Sequence, residues 1–257
     1  MDFGAITAAV KEATLEQKLD HLKAWRMSVW HPAAGEVAKE DPTRIKAMTA
    51  ERGLGMSALS AGVPMADPSK KEANLKEWDV RVKNAAAIGV KIVVSRTFAK
   101  PEGLSDDDAW KTVISLGREM AKRCADSGCF FALETDHFNF IENLAGAKRL
   151  LAEIAHPAMK INYDPCNYYF GGNDPIEVMD ALFPHIVHGH IKDAVRVPGE
   201  KTKEAAVGKG DLNYVQILGE LNRRGFKGAM CIEHCKSFDE IEAAWKHIQS
   251  VRAKLGL

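Results

Sequence analysis

An alternation of short apolar segments with longer helical segments runs through the whole chain and constrains its fold more than any other feature. Eight of the apolar segments are predicted to be strands: Phe3–Thr7, Arg26–Trp30, Gly55–Leu59, Lys91–Ser95, Phe130–Glu134, Met159–Tyr163, Ile186–His190 and Ala229–Glu233. Alternating strands and helices predict a parallel sheet covered by the helices. Eight units in 257 residues leave about 32 residues for each, the size of one strand–helix unit. The predicted fold is therefore a closed α/β barrel, the (β/α)₈ or TIM barrel.

The segments between the strands have the spacing and the starts of helices. Ala109, Val113 and Leu116 recur at helical intervals, which predicts one apolar helix face. Three aspartates directly after Ser105 are typical of a helix start. The chain has no glycine-rich dinucleotide turn after its first strand and no Pro- or Ser-rich linker. We therefore predict a single barrel domain over residues 1–257.

Charge and composition exclude several function classes. Lys and Arg number 35, as do Asp and Glu, so no strongly basic face for nucleic acid is expected. The five cysteines are odd in number and irregularly spaced, which predicts free thiols. The N-terminus lacks the regions of a signal peptide, and no segment reaches the roughly 20 apolar residues of a membrane span. These features predict a cytoplasmic protein.

Four consecutive predicted strands end in side chains that bind metal ions. Glu134, Asp164, His190 and Glu233 each stand at the end of an apolar segment or one residue beyond it. The strands of a parallel barrel end on one rim, where active sites are built. Three carboxylates on one rim repel one another unless a cation lies between them. The pattern predicts one divalent cation held by these four residues.

Nearly the whole chain resembles the xylose isomerase-like barrels, a group of sugar isomerases, epimerases and related enzymes, and the resemblance is most specific in the second half. The resemblance lies in the segments Ala132–His137, Asn162–Asn167, His188–Asp193, Gly208–Asp211 and Cys231–His234. The first half is similar only in Ser57–Ser60 and Asp67-Pro68. In that family the residues that match the four predicted ligands hold one catalytic cation, commonly Mn²⁺ and sometimes Mg²⁺, Co²⁺ or Zn²⁺.

The resemblance implies an isomerase or epimerase acting on a keto or aldo sugar, or on a derivative. Glu134 and Glu233 would remove and return a proton beside a metal-chelated carbonyl, through an enediolate. The alternative is a lyase or dehydratase with the same first step, of the inosose dehydratase or 3-keto-glycoside-cleaving kind. A third interpretation is a non-enzymatic barrel that binds a partner and serves as a subunit of a larger enzyme. In either case the protein is a candidate for a homo-oligomer or for assembly with a partner subunit. Nucleic acid and membrane are not expected as partners.

The resemblance also implies four residues that contact substrate: His188, Arg196, His137 and Asn167. A hydrogen-bonded core histidine is the alternative for His188, and a solvated loop residue is the alternative for Arg196. Asn167 stands where many relatives carry a histidine, which argues against a second metal. Lys192 and Asp193 are expected to pair with each other or to brace the rim.

Other features of the sequence leave alternatives open. The segment Asp193–Asp211 is predicted to be either a mobile lid or an open loop. His31, Ser60 and Arg96 stand near early strand ends, where structural roles are favoured over a place in the pocket. DNA repair of the endonuclease IV type is disfavoured, because it needs several histidines on early strands and only His31 lies there.

Overall fold

Parallel strands form the centre of the computed structural model, which describes residues 1–257. The eleven strands are β1 (Asp2–Ile6), β2 (Val29–His31), β3 (Gly55–Met56), β4 (Leu59–Ser60), β5 (Ile92–Ser95), β6 (Phe130–Leu133), β7 (Met159–Tyr163), β8 (Ile186–Ile191), β9 (Asp193–Val195), β10 (Lys203–Ala205) and β11 (Ala229–Ile232). Nine of them form one sheet in the order β3-β2-β1-β11-β8-β7-β6-β5-β4, and β9 pairs with β10 separately.

The two end strands of this sheet close it into a barrel. β3 and β4 stand at opposite ends of the order, but only Ser57 and Ala58 separate them in the chain. The two short strands therefore occupy one and the same strand position of the barrel. An isolated parallel bridge between Ala33 and Ser60 joins the same edges. The nine strands therefore fill eight positions, and the predicted (β/α)₈ barrel is confirmed.

Ten helices surround the strands. They are α1 (Leu15–Ala24), α2 (Ala34–Val37), α3 (Pro42–Glu51), α4 (Lys71–Ile88), α5 (Asp106–Asp126), α6 (Leu144–Ile154), α7 (Pro165–Phe170), α8 (Pro175–Leu182), α9 (Tyr214–Arg223) and α10 (Phe238–Leu255). Ser105 caps α5 by accepting the N–H of Asp108, and the predicted face of α5 is buried. None of these helices has the length and apolar character needed to cross a membrane.

Close packing inside the barrel requires a glycine in β8. A Cβ at Gly189 would lie 2.5 Å from Sδ of Met230 in β11 and 2.6 Å from the carbonyl oxygen of Tyr163 in β7. Only glycine lets the neighbouring backbones approach this closely. The small residue thus fixes the position of β8, which carries His188 and His190 on either side of it.

The segment after β8 is an ordered hairpin, which the sequence did not predict. β9 and β10 pair in antiparallel fashion. The Asp193 carboxylate accepts the backbone N–H groups of Gly208, Gly210 and Leu212 at 2.9, 3.0 and 3.2 Å. Asp193 therefore braces the rim, whereas its pairing with Lys192 does not occur.

Candidate metal centre and substrate cavity

The four predicted ligands meet at the carboxyl end of the barrel. One ligand atom from each of Glu134, Asp164, His190 and Glu233 lies within 4.8 Å of those of the other three. Nδ1 of His190 is 3.0 Å from Oε1 of Glu134, 3.1 Å from Oε2 of Glu233 and 3.9 Å from Oδ2 of Asp164. Three of these side chains are buried, and that of Glu233 is 16% exposed. The four side chains therefore lie together, and their role as metal ligands stays a prediction.

Local structure orients Asp164 toward this centre. It follows β7 directly and caps α7, because its Oδ1 accepts the N–H groups of Cys166 and Asn167 at 2.9 and 3.0 Å. Pro165 occupies the first helical position, where no N–H partner is required. The cap holds one carboxylate oxygen on the helix and leaves the other, Oδ2, for the centre.

The donor set fits a divalent cation. Oδ2 of Asp164 and Oε2 of Glu233 are buried and accept no hydrogen bond of good geometry. Burial, reinforced by Glu233, raises the pKa of Glu134. Burial opposes protonation of His190, but Glu233 and Glu134 outweigh it and raise its pKa to about 10. A cation would coordinate these oxygens and relieve the repulsion among three closely spaced carboxylates.

Lys192 also lies among the ligands, which the sequence analysis missed. Its Nζ is 3.0 Å from Oδ2 of Asp164 and 3.5 Å from Oε2 of Glu233. Burial opposes the charge, but Asp164 and Glu233 raise the pKa of Lys192 well above its ordinary value. Lys192 follows His190 by two positions, and residues at this spacing along a strand point to the same face. That spacing was the signal that could have placed it in the site.

Two of the predicted substrate residues are instead buried within the protein. Asn167 donates from Nδ2 to Oε1 of Glu134 at 3.1 Å and accepts from Nζ of Lys192 at 2.9 Å. The ring nitrogens of His188 contact Oδ1 of Asn162 at 2.7 Å and Oγ of Ser57 at 3.1 Å. Asn167 therefore supports the centre directly, whereas His188 reaches it through Asn162, whose Nδ2 is 3.1 Å from Nδ1 of His190. Substrate contact by either side chain stays a prediction.

The other two predicted substrate residues lie on the outer rim. Arg196 is exposed, and its guanidinium stacks 3.7 Å from the ring centroid of Tyr169. His137 is half-buried and stacks on Phe170, with ring centroids 4.2 Å apart. Burial lowers the pKa of His137. Neither residue lines the cavities that reach Glu233.

A second set of possible ligands consists of imidazoles only. His31, His188 and His190 are fully buried, and one nitrogen of each lies within 4.8 Å of the others. Burial and the neighbouring rings lower the pKa of His31 and of His188 well below the ordinary value. Both nitrogens of His188 are already in hydrogen bonds, and Nε2 of His31 is 3.0 Å from Oγ of Ser60. An ion held by all three rings would have to displace a hydrogen bond of His188 and would lack a carboxylate.

Two cavities meet at Glu233. The smaller, about 350 Å³, is lined by Glu134, Glu233 and Arg96 and by mostly small residues from the early strand ends, and we call it the inner cavity. The larger, about 510 Å³, lies between Lys192, Glu233 and the β9–β10 hairpin. Arg96 is the one basic side chain of the inner cavity, and its Nη1 donates to Oδ2 of Asp136 at 3.0 Å.

The comparison with protein families agrees with this geometry. The sequence model of the family described as xylose isomerase-like TIM barrel matches residues 21–253 of this chain. The chain belongs to this family. The four predicted ligands, Lys192 and both cavities thus stand at the end of the barrel where the active sites of such folds are built.

Three family members and neighbours illustrate the range of similar proteins. A 3-dehydroshikimate dehydratase of Bacillus anthracis is 26% identical over 142 residues, which cover 49% of this chain and only 51% of that protein. An inosose dehydratase of Geobacillus kaustophilus is 21% identical over 227 residues, 77% of this chain and 73% of the relative. The crystal structure of the IolI protein, solved with a bound zinc atom, superposes with a TM-score of 0.84 at 15% identity, covering 99% of both chains.

Proposed function

We propose that this chain is a divalent-metal-dependent enzyme that removes a proton from the carbon beside the carbonyl of a small polyhydroxylated ketone or aldehyde. The observation that carries the proposal is the position of Glu134 and Glu233. Both line the inner cavity, and both lie within hydrogen-bond distance of the same nitrogen of His190. When bound, the cation polarises the carbonyl and acidifies the neighbouring C–H bond.

The two glutamates have complementary tasks in this proposal. One carboxylate takes the proton from carbon, and the other returns a proton to the opposite face or to the adjacent atom. The first outcome is epimerisation and the second is isomerisation. Asn167 holds Glu134 through its 3.1 Å hydrogen bond, so this carboxylate is fixed in direction. Glu233 is the more exposed of the two and reaches both cavities.

Elimination is the second candidate, and the inner cavity gives it specific support. After proton removal, the C–H electron pair forms a C=C bond, and the β-hydroxyl leaves with a proton as water. Both curated relatives are named as dehydratases, of 3-dehydroshikimate and of inosose. A cavity of about 350 Å³ walled by Ala8, Ala33 and Ala61 suits a compact ring. The unpaired donors of Arg96 suit an acidic or hydroxyl group on that ring.

The deciding experiment measures, in one reaction, both the exchange of the hydrogen beside the carbonyl and the loss of water from the substrate. The Mn²⁺-loaded protein is incubated in deuterated water with fructose, tagatose, inosose and 3-dehydroshikimate, and the products are analysed by NMR. Deuterium at the carbon beside the carbonyl of recovered material, without a dehydrated product, supports epimerisation or isomerisation. A dehydrated product supports elimination.

Matched variants test the residues. Glu134→Gln and Glu233→Gln are expected to lower either reaction by about 10²- to 10⁴-fold, the usual contribution of a positioned acid or base. Glu220→Gln, a surface change on α9, is expected to keep full activity. Full metal occupancy without exchange or elimination on any of these compounds would favour the partner-subunit interpretation instead.

A further inference from the structure

The ammonium of Lys192 occupies a fixed place inside the metal centre. Tyr214 holds the backbone on both sides of the residue, since its hydroxyl accepts the N–H of Lys192 and donates to its carbonyl oxygen. The side chain is buried, and its Nζ contacts Asp164, Glu233 and Asn167 at 3.0, 3.5 and 2.9 Å. Lys192 is therefore directed at the same carboxylates as the cation would be.

The charges of the centre balance only when Lys192 is counted. Glu134, Asp164 and Glu233 carry three negative charges when ionised, whereas a divalent cation carries two positive ones. The ammonium of Lys192 supplies the third. Asp193, the next acidic residue, is turned away and accepts hydrogen bonds from the rim backbone. No other lysine or arginine lies within ion-pair distance of the ligand carboxylates.

We propose that Lys192 is a tethered counter-cation of the metal centre. In the metal-free chain its ammonium holds the carboxylates of Asp164 and Glu233 in place. In the loaded chain it shares those carboxylates with the ion, so the ion binds less tightly than three carboxylates would allow and keeps more of its positive charge for substrate. This inference rests on the proposed metal-dependent function.

A purely structural role for Lys192 predicts the opposite effect on metal affinity. As a support, Lys192 would orient Asp164 and Asn167, and its loss would weaken binding by about 10- to 100-fold, as for other residues that orient metal ligands. If Lys192 is a counter-cation, its loss removes the repulsion between its ammonium and the metal ion, which share a carboxylate. The metal ion then binds more tightly. The sign of the change therefore separates the two roles.

In the test, full-length protein treated with a chelator is titrated with Mn²⁺ at pH 7. Binding is measured by calorimetry and by the electron paramagnetic resonance signal of free Mn²⁺. Lys192→Met is expected to bind Mn²⁺ at least about tenfold more tightly than the unchanged protein. Without metal, the Lys192→Met variant is expected to melt at a lower temperature than the unchanged protein. Added Mn²⁺ is expected to raise the melting temperature of the variant by more than it raises that of the unchanged protein. Lys192→Arg keeps the charge and is expected to bind with nearly unchanged affinity.

Controls make every outcome decisive. Lys18→Met removes the other buried lysine, which pairs with Glu36 away from the centre, and should leave Mn²⁺ affinity unchanged. Lys192→Gln replaces the methionine variant if that variant does not fold. Equal or weaker binding in a folded, uncharged Lys192 variant overturns the counter-cation role alone. Absence of Mn²⁺ binding in the unchanged protein overturns the proposed metal-dependent function itself, and this inference with it.

Discussion

The two halves of the barrel rim differ in what they contribute to the site. The later strands β6, β7, β8 and β11 end at ionisable side chains whose direction is fixed by hydrogen bonds. Asp164 accepts a hydrogen bond from the first turn of α7, and Glu134 accepts one from the side chain of Asn167. The early strands end in small and neutral residues that wall the inner cavity, with Arg96 as their one charged group there. The comparison suggests that the later half performs the chemistry, whereas the early half selects the substrate.

Removal of one ligand in the later half should have the largest effect. Asp164→Asn takes away an anionic oxygen and leaves Lys192 without its nearest carboxylate. Loss of the several kcal/mol that a correctly held cation supplies corresponds to about a 10³-fold lower turnover. Steady-state kinetics at saturating Mn²⁺ would measure it. Asp67→Asn, a cap in the early half, should leave turnover unchanged, and a similar loss there would contradict the division of roles.

Packing should also be less tolerant in the later half. Gly189→Ala introduces a Cβ into contact with Met230 and with the backbone of Tyr163, and we expect a loss of about 3 kcal/mol in the free energy of unfolding. Gly35→Ala in the early half meets no atom within 4 Å and lies in α2, so it should be neutral or slightly stabilising. Urea unfolding of the metal-free proteins compares them. Equal losses would show that the contact at Gly189 is easily relieved.

A change in the early half should alter substrate selection rather than turnover. Arg96→Met removes the free guanidinium donors of the inner cavity. We expect the KM for 3-dehydroshikimate, which carries a carboxylate, to rise about 10- to 50-fold at unchanged kcat. The KM for inosose, which has no carboxylate, should hardly change. If kcat falls equally for both compounds, Arg96 acts on the reacting atoms and the two halves are not separate.

A pH dependence of metal binding should also be confined to the later half. The metal-free His190 has a pKa of about 10 because of Glu233 and Glu134, and the cation requires the neutral ring. Each bound ion then displaces a proton, and affinity should rise about tenfold per pH unit from pH 7 to 9. Calorimetry in buffers of different ionisation enthalpy counts the released proton. Arg96→Met should show the same slope, and a flat profile would mean that His190 is already neutral.

The same raised pKa has the opposite effect on the metal-free fold. Protonated His190 stabilises the folded chain below its ordinary pKa of 6.5, and this stability is lost as the pH rises toward about 10. The melting temperature of the metal-free protein should therefore decrease over this range while the stabilisation by added Mn²⁺ increases. Thermal unfolding with and without Mn²⁺ at each pH measures both trends.

Sequence pattern alone predicted the barrel and the proximity of the four predicted ligands because both depend on local features. Apolar segments of strand length and the rule that parallel strands share one rim bring Glu134, Asp164, His190 and Glu233 together. The break between β3 and β4 and the β9–β10 hairpin were missed, because strands of two or three residues depend on their hydrogen-bonded neighbours. The direction of a long side chain depends on partners far away in sequence. For this reason the sequence placed Lys192 as a brace of the rim, whereas its ammonium lies among Asp164, Glu233 and Asn167.

The brace at Asp193 has a consequence for how such a chain can vary. It ties the end of the strand that carries His190 to the backbone at Gly208, Gly210 and Leu212, across the base of the hairpin. Residues 197–202 at the hairpin tip take no part in that tie. Insertions or deletions at the tip would change what covers the rim while His190 stays in place. The hairpin tip is thus a site where new specificities are able to arise without rebuilding the proposed metal centre.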